Sequence, residues 1–520
     1  MASPAVLREL FTPSRPLGPL AAEGSMSLER LSVLFDGEND IVRTLNHDQT
    51  VIVGRKGSGK TTLLGSVLLH EPASTSFYLP SHQVFSAIVS EINGLSDRVA
   101  FVEQVSKLWE FVLWGIAINH VYTTYKEPRI RSFCADLNIG FSVPSDPYVL
   151  IQNMLSAIKH FPPKDWPIPE KISYKEIGGV SFLQAKKICS DVLAEHKARV
   201  YILLDSLEEY HFEYLNHAFA ISGLLRCLGE FNEGPRTPVE LRCCVPAEQY
   251  HVFMDISTNP IKDFRDMHLL HWKAGELIQL SAKRYSTFLQ CYYEDFYRAE
   301  VTKLDLDSRS DLERFWDLIF PNTMTNRLGV IEKSVAYILR HTQLLPRHLL
   351  LYLNYILSES IKNAKAAYHI DGKYILEGVL NAEHLVHSQI LEAYKTPNRD
   401  LPRLCREILK GLKSKFSWDE FDAVVAKVPR GVRGAASGTE LMSTLTEIGA
   451  IGRLVGETDR YYTAVFEYML PHKLVASPRD EFCIHPAFTL VHNVDTSYKG
   501  AKPIYTYWSG ITDVDLAQWM

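Results

Sequence analysis

Thr50-Val51-Ile52-Val53-Gly54-Arg55-Lys56-Gly57-Ser58-Gly59-Lys60-Thr61 is the stretch whose reading decides the fold. Its first four residues read as a buried strand, and Thr62 to Leu69 as the helix that follows. Between them Gly54 to Thr61 satisfies G-x-x-x-x-G-K-[ST] in the setting that motif requires. Gly57 and Gly59 open backbone conformations closed to other residues, so that successive N–H groups converge on phosphate oxygens. Lys60 would reach the phosphates, Thr61 would hold magnesium, and the helix N-terminus adds its dipole. An unrelated glycine-rich turn would not need this strand and this helix around it.

A second stretch completes such a site. Val200-Tyr201-Ile202-Leu203-Leu204 is an apolar strand that ends in Asp205, followed by Ser206, Leu207, Glu208 and Glu209. A carboxylate emerging at the C-terminal end of a buried strand lies where ligands sit in parallel sheets. Asp205 would join the magnesium shell, and Glu208 or Glu209 would orient an attacking water. Taken alone, the stretch also reads as a buried strand running into a charged helix cap.

Thr61 and Asp205 stand 144 positions apart, more than one strand–helix–strand crossover needs. A helical insertion is therefore expected over about 97–180, beginning with a helix from Asp97 to about Tyr125. Gln184 to His196 reads as a helix and Val239 to Val245 as another strand, closed by Pro246. Strands alternating with helices in this way imply a parallel sheet flanked by helices, an α/β P-loop NTPase fold. Residues 1–30, with Pro4, Pro13, Pro16 and Pro19, read as an extended N-terminal arm. The core spans 31–274, a helical lid 275–395, and a winged-helix-like domain with a C-terminal tail 396–520.

Composition narrows the class. The 520 residues are 46% hydrophobic and 22% charged, with a net charge of −6, which fits a folded multidomain protein and excludes coating of nucleic acid by a global basic field. Eight scattered cysteines lack a CxxC pair, and Cys243 and Cys244 must point to opposite faces of one strand. Reduced thiols in a cytoplasmic protein are expected. No secretory signal fits the first residues, and the most apolar run, Phe111 to Ile118, is too short to span a bilayer.

The phosphate loop and the acidic strand together resemble those of the STAND ATPases, a branch of the AAA+-like P-loop ATPases. Asp205, Ser206, Leu207, Glu208 and Glu209 match the family's pattern of aspartate, small residue, apolar residue and two acids. The resemblance implies ATP and Mg2+ as cofactors and favours Glu208 as the base, with Glu209 the alternative. Leu345-Pro346-Arg347-His348-Leu349-Leu350 is similar to the start of the lid helix in origin-recognition-type ATPases, which implies that Arg347 touches the γ-phosphate. Leu34-Phe35-Asp36-Gly37-Glu38 lies where relatives carry a Phe-x-Gly-Arg turn near adenine, but Glu38 replaces the arginine. Arg265 lies where some relatives place a trans-acting arginine finger, with a surface arginine as the plainer reading.

Residues 401–435 hold eight basic groups, among them Arg403, Arg406, Lys410 and Arg430, against four acids. Beside a winged helix they would suit DNA phosphates, although charge-rich faces are commonly just solvated. Tyr285, Tyr292, Tyr293, Phe296 and Tyr297 recur at helical spacing and read as lid packing, and His268 and His271 as structural. The layout resembles uncharacterised bacterial P-loop ATPases with an origin-recognition-like core, some from defence loci, and the resemblance implies a cytoplasmic ATPase, unattached to membranes, whose nucleotide state controls self-assembly or a protein partner in bacterial defence or DNA transactions. A non-hydrolysing nucleotide-dependent switch or DNA-binding scaffold is the alternative.

Overall fold

The structure, a computed structural model, describes residues 3–20, 27–35, 50–70, 74–92, 98–140, 147–161, 168, 171–172, 176–205, 207, 215–231, 237–257, 259–264, 267–394, 400–469, 473–498 and 500–506. Val51–Gly54 form β1, and all four are buried. Thr75–Pro80 form β2, Glu176–Ile177 and Val180–Ser181 the small hairpin β3–β4, Val200–Asp205 β5, Val239–Pro246 β6 and Met267–Leu270 β7. The main sheet runs β2-β5-β6-β1-β7 and is parallel throughout. A parallel sheet needs both faces covered, which explains why its central strands are continuously apolar rather than alternating. Cys243 and Cys244 do face opposite ways: the first packs with Val51 and Val53, the second with Ile52, Leu63 and Tyr201.

Helix Arg98–Tyr125 is the insertion's longest element, at 28 residues. It is apolar around most of its circumference because it lies within the core, against helices Leu215–Phe231 and Phe182–Glu195. Trp109 Nε1 donates to Ala220 O at 2.9 Å, which satisfies the one polar atom of a large buried ring. Among the described residues no helix is long and apolar enough to cross a membrane.

The chain after residue 274 is mainly helical, with Ala274–Tyr292, Pro346–Ala364 and Gly372–Tyr394 the longest helices. A short hairpin interrupts it: β8 (Thr323–Thr325) pairs with β9 (Ile331–Lys333). Tyr285 is fully buried and lies in the lid core with Phe315 and Trp316, as a packing role requires. From Leu401 on, the longer helices Leu401–Leu409, Trp418–Val425 and Gly438–Glu447 and the short Arg430–Arg433 and Pro486–Thr489 accompany a five-stranded sheet. Its strands are β10 (Lys415–Ser417), β11 (Ile451–Glu457), β12 (Tyr462–Val465), β13 (Glu481–Ile484) and β14 (Ile504–Thr506), in the order β10-β13-β11-β12-β14. β13 is the strand expected at Phe482 to Ile484, whereas β10 and β14 add edges that a three-residue pattern does not announce.

The extended N-terminal arm requires correction. Pro4–Leu10 is a helix, capped by Ser3, and Leu10, Phe11 and Leu17 are buried in the lid's core. Proline at the first helical position supplies a favourable φ and loses no needed hydrogen bond, so Pro4 starts the helix rather than preventing it. Leu7, Leu10 and Phe11 then share one face, which docks on the lid.

Candidate functional site

The loop from Gly54 to Thr61 joins the buried end of β1 to helix Lys60–His70. Gly57 and Gly59 have φ of 92° and 93°, a region that suits glycine and lets consecutive N–H groups point into one hollow. At Gly57 the space is also tight: a Cβ would lie 3.0 Å from Arg347 Cβ. Ser58 N–H donates to Arg55 O at 3.0 Å, and Leu63 N–H to Gly59 O at 3.0 Å as the helix begins. Trp272 Nε1 donates to Ser58 O at 2.7 Å and braces the loop from the end of β7.

Lys60 Nζ donates to Gly54 O at 2.9 Å and Arg55 O at 3.2 Å, which holds its ammonium inside the curve of the loop. Thr61 Oγ1 donates to Asp205 Oδ2 at 2.5 Å, and Tyr78 OH donates to the same oxygen at 3.0 Å. The parallel register explains the meeting: Pro80 of β2 lies beside Asp205 of β5, so both strands end at one level. Asp205 is buried, and a buried carboxylate held by two hydroxyl donors is a fitting oxygen ligand for a hard cation. Ser58 Oγ is buried and has no hydrogen-bond partner among the described residues.

Arg347 lies in the first turn of helix Pro346–Ala364, and its N–H donates to Gly57 O at 3.3 Å. A pocket of about 180 Å³ brings together Lys56, Gly57, Gly59, Lys60, Thr61, Thr62, Asp205 and Arg347. Its opposite wall is apolar and includes Pro19, Leu20, Leu34 and Leu350. The residues and the two positive-φ glycines fit a nucleoside phosphate with a divalent cation. Glu208, Glu209 and Arg265 lie outside the described residues, as do Asp36, Gly37 and Glu38.

Arg55 turns the other way. Its Nη2 donates to Gln343 Oε1 at 2.7 Å and reaches Tyr394 OH at 3.5 Å, while its guanidinium carbon lies 5.2 Å from the centre of the Tyr468 ring. Burial opposes its charge, but Tyr394, Glu248 and Tyr468 outweigh that and hold its pKa above the ordinary arginine value. Gln343 Nε2 in turn donates to Ile448 O at 2.9 Å, and Tyr394 OH to Glu447 O at 3.0 Å. A continuous polar chain thus runs from the phosphate loop through the lid to the C-terminal region.

Sequence reasoning missed Tyr78, Glu248 and Gln343. Glu248 Oε1 accepts from Lys56 N–H at 2.8 Å. Its signal was its place just past Pro246, which pairs with Gly54 at the end of β6. His268 and His271 are held below their ordinary pKa by burial, and no group of three or more potential metal ligands occurs among the described residues.

The sheet order puts β6 between the loop strand and the acidic strand, and a helical lid closes on the loop. This is a P-loop NTPase fold, a parallel sheet flanked by helices with a helical lid behind it. No protein-family model and no curated protein sequence matches the chain. Similar solved structures include the ORC2 protein of Aeropyrum pernix in its ADPNP-ADP complexes, with a TM-score of 0.37 and 12% identity over 92% of this chain and 95% of that one. Cdc6p from Pyrobaculum aerophilum has a TM-score of 0.27 and 9% identity over 95% and 96%. Both overlays are loose, and the fold rests on the loop, the strand order and the lid.

Proposed function

We propose that the chain binds ATP with magnesium at the phosphate loop and hydrolyses it, and that nucleotide state moves the lid and C-terminal region against the core. The observation that carries this reading is the 2.5 Å pairing of Thr61 Oγ1 with Asp205 Oδ2 in the pocket that Arg347 enters from the lid. Lys60 and the loop N–H groups hold the phosphates, and Thr61 and Asp205 hold the cation. When bound, the cation neutralises charge on the phosphate oxygens. Glu208, or Glu209 in its place, orients the water, and Arg347 meets the terminal phosphate. Arg265 acts on the site of a neighbouring copy. The output is control of self-assembly or of a protein partner in the cytoplasm, in the STAND manner, within bacterial defence or DNA transactions. Arg403, Arg406, Lys427 and Arg430 stand exposed and would carry the DNA contact, whereas Lys410, Lys413 and Lys415 pair with Glu407, Glu420 and Glu457.

A nucleotide-dependent switch without turnover is the second reading, favoured by the direct tie from Arg55 to the lid. Steady-state phosphate release with ATP and magnesium, with and without duplex DNA, separates the two. Turnover lost in both Lys60→Ala and Glu208→Gln supports the ATPase. Tight ATP binding without turnover, lost only in Lys60→Ala, supports the switch.

A further inference from the structure

Arg284 projects from the middle of helix Ala274–Tyr292 toward the phosphate-loop pocket, which it lines from the lid side. Its hydrogen-bond partners among the described residues are backbone oxygens of the N-terminal segment. Nη1 donates to Pro19 O at 3.1 Å and Leu17 O at 3.4 Å, and Nη2 donates to Leu34 O at 3.1 Å. Its Nε is shut off from water and has no partner among the described residues. Burial alone accounts for its shift, which lowers its pKa to about 10, so the group stays charged at neutral pH with no acid paired to it among the described residues. A guanidinium in this setting is disfavoured unless it serves some other purpose.

The purpose is visible in what it holds. Leu17 and Leu34 lie 17 positions apart in the N-terminal part of the chain, and the fork of one guanidinium ties both to the same lid helix. Pro19, Leu20 and Leu34 supply most of the apolar wall that faces the phosphate loop, with Leu350 beside them. The pocket is therefore polar where phosphates would lie and apolar where a flat ring would lie.

We propose that Arg284 is a positioning residue that builds the base-binding wall of this pocket by clamping the N-terminal segment, so that the chain recognises the base end of a nucleotide through it and the phosphate end without it. This rests on the nucleotide reading above. A phosphate-only probe, inorganic tripolyphosphate, separates the two ends of the ligand.

The test compares magnesium-dependent binding of ATP and of inorganic tripolyphosphate to the full chain by calorimetry. In Arg284→Met, ATP affinity falls at least tenfold while tripolyphosphate affinity changes less than twofold, and amide exchange rises in residues 17–20 and 30–34. Arg284→Lys, which keeps the charge but not the fork, falls between. Leu20→Ser, with the clamp intact, reproduces the ATP-selective loss and serves if the arginine variants do not fold. Equal losses for both ligands would make Arg284 a phosphate contact and overturn the proposal, as would unchanged ATP binding in Arg284→Met and Leu20→Ser. If the wild-type chain binds neither ligand, or Lys60→Ala binds both normally, the nucleotide reading itself falls and the clamp falls with it.

Discussion

Arg55, inside the phosphate loop, donates to Gln343 Oε1 at 2.7 Å, and Gln343 donates onward to Ile448 O at 2.9 Å. The loop is thus hydrogen-bonded to the lid, and the lid to the C-terminal region, through one side chain. Arg55 does not line the pocket that holds Lys60 and Thr61. Arg55→Met should therefore change ATP affinity by less than about tenfold, or 1.4 kcal/mol. It should lower stability by about 1.5–3 kcal/mol, the range for a lost hydrogen bond to a charged group. Hydrogen exchange around residues 447–449 is the decisive readout: nucleotide alters it in the wild type and not in the variant. Protection that still responds to nucleotide would show that the coupling runs elsewhere.

Lys60→Ala should weaken ATP binding by about a hundredfold or more, since an ammonium held against phosphate is a charge-assisted contact of several kcal/mol in a site shielded from water. Asp205→Asn should keep metal-free ATP binding but lose the gain from magnesium. Wild-type protein titrated in chelator should then match Asp205→Asn titrated in magnesium, and a remaining difference would move the cation to other ligands.

Glu208→Gln should bind ATP normally and turn it over about 10²–10⁴ times more slowly, the usual share of a general base. Phosphate release measured beside filter binding decides this. Undiminished turnover would transfer the role to Glu209, whose glutamine variant is the direct comparison.

His387 Nε2 and His492 Nε2 meet at 2.8 Å where the lid packs on the C-terminal region. Burial, with Arg406 nearby, pushes His387 down to about 4, and burial together with His387 pushes His492 to about 3. Both are depressed, so their contribution is complete above pH 6.5. As pH falls below that, the unfolded chain takes up protons that the native one refuses, at about 1.4 kcal/mol per pH unit for each histidine. Glu383, raised by burial to about 7, acts in the opposite sense: its contribution is present below pH 4.5 and is lost as pH rises through 7. Two histidines outweigh one carboxyl, so stability should decline from pH 6.5 toward 4.5. Urea midpoints across that range check it, and His492→Asn should flatten the slope. A midpoint indifferent to pH in the wild type would mean that the pair is already charged in the folded state.

Gly378 sets the approach of the two long lid helices. A Cβ there would lie 2.5 Å from Ile356 Cγ1 and 2.7 Å from Ile356 Cα. Gly378→Ala should lower stability by about 1–3 kcal/mol, as overpacking does. Adding Ile356→Ala should not restore it, because the backbone contact remains. A melting temperature equal to wild type would mean that the helices can part without penalty.

The phosphate loop could be read from the sequence because its chemistry is local: eight consecutive residues carry both the conformation and the ligands. Asp205 was legible as the first acid after an apolar run. Tyr78, Glu248 and Gln343 were not, because strand register or lid packing brings each to the loop from far along the chain. The N-terminal helix is masked in the sequence by the four prolines of residues 1–30, although Pro4 falls at the one helical position that suits it. β8, β10 and β14, at three residues each, are shorter than any periodicity can reveal.

Leu17 N–H donates to Asn354 Oδ1 at 2.7 Å, and the two residues are 337 positions apart. A ribosome delivers Leu17 long before Asn354, at a pace of roughly 5–20 residues per second. For much of a minute, Leu10, Phe11 and Leu17 have none of the lid surface that finally buries them. The parallel sheet, complete once β7 emerges, can form meanwhile without them. A chain stopped before Asn354 therefore keeps the sheet but leaves Leu17 N–H without the acceptor that holds it in the full fold.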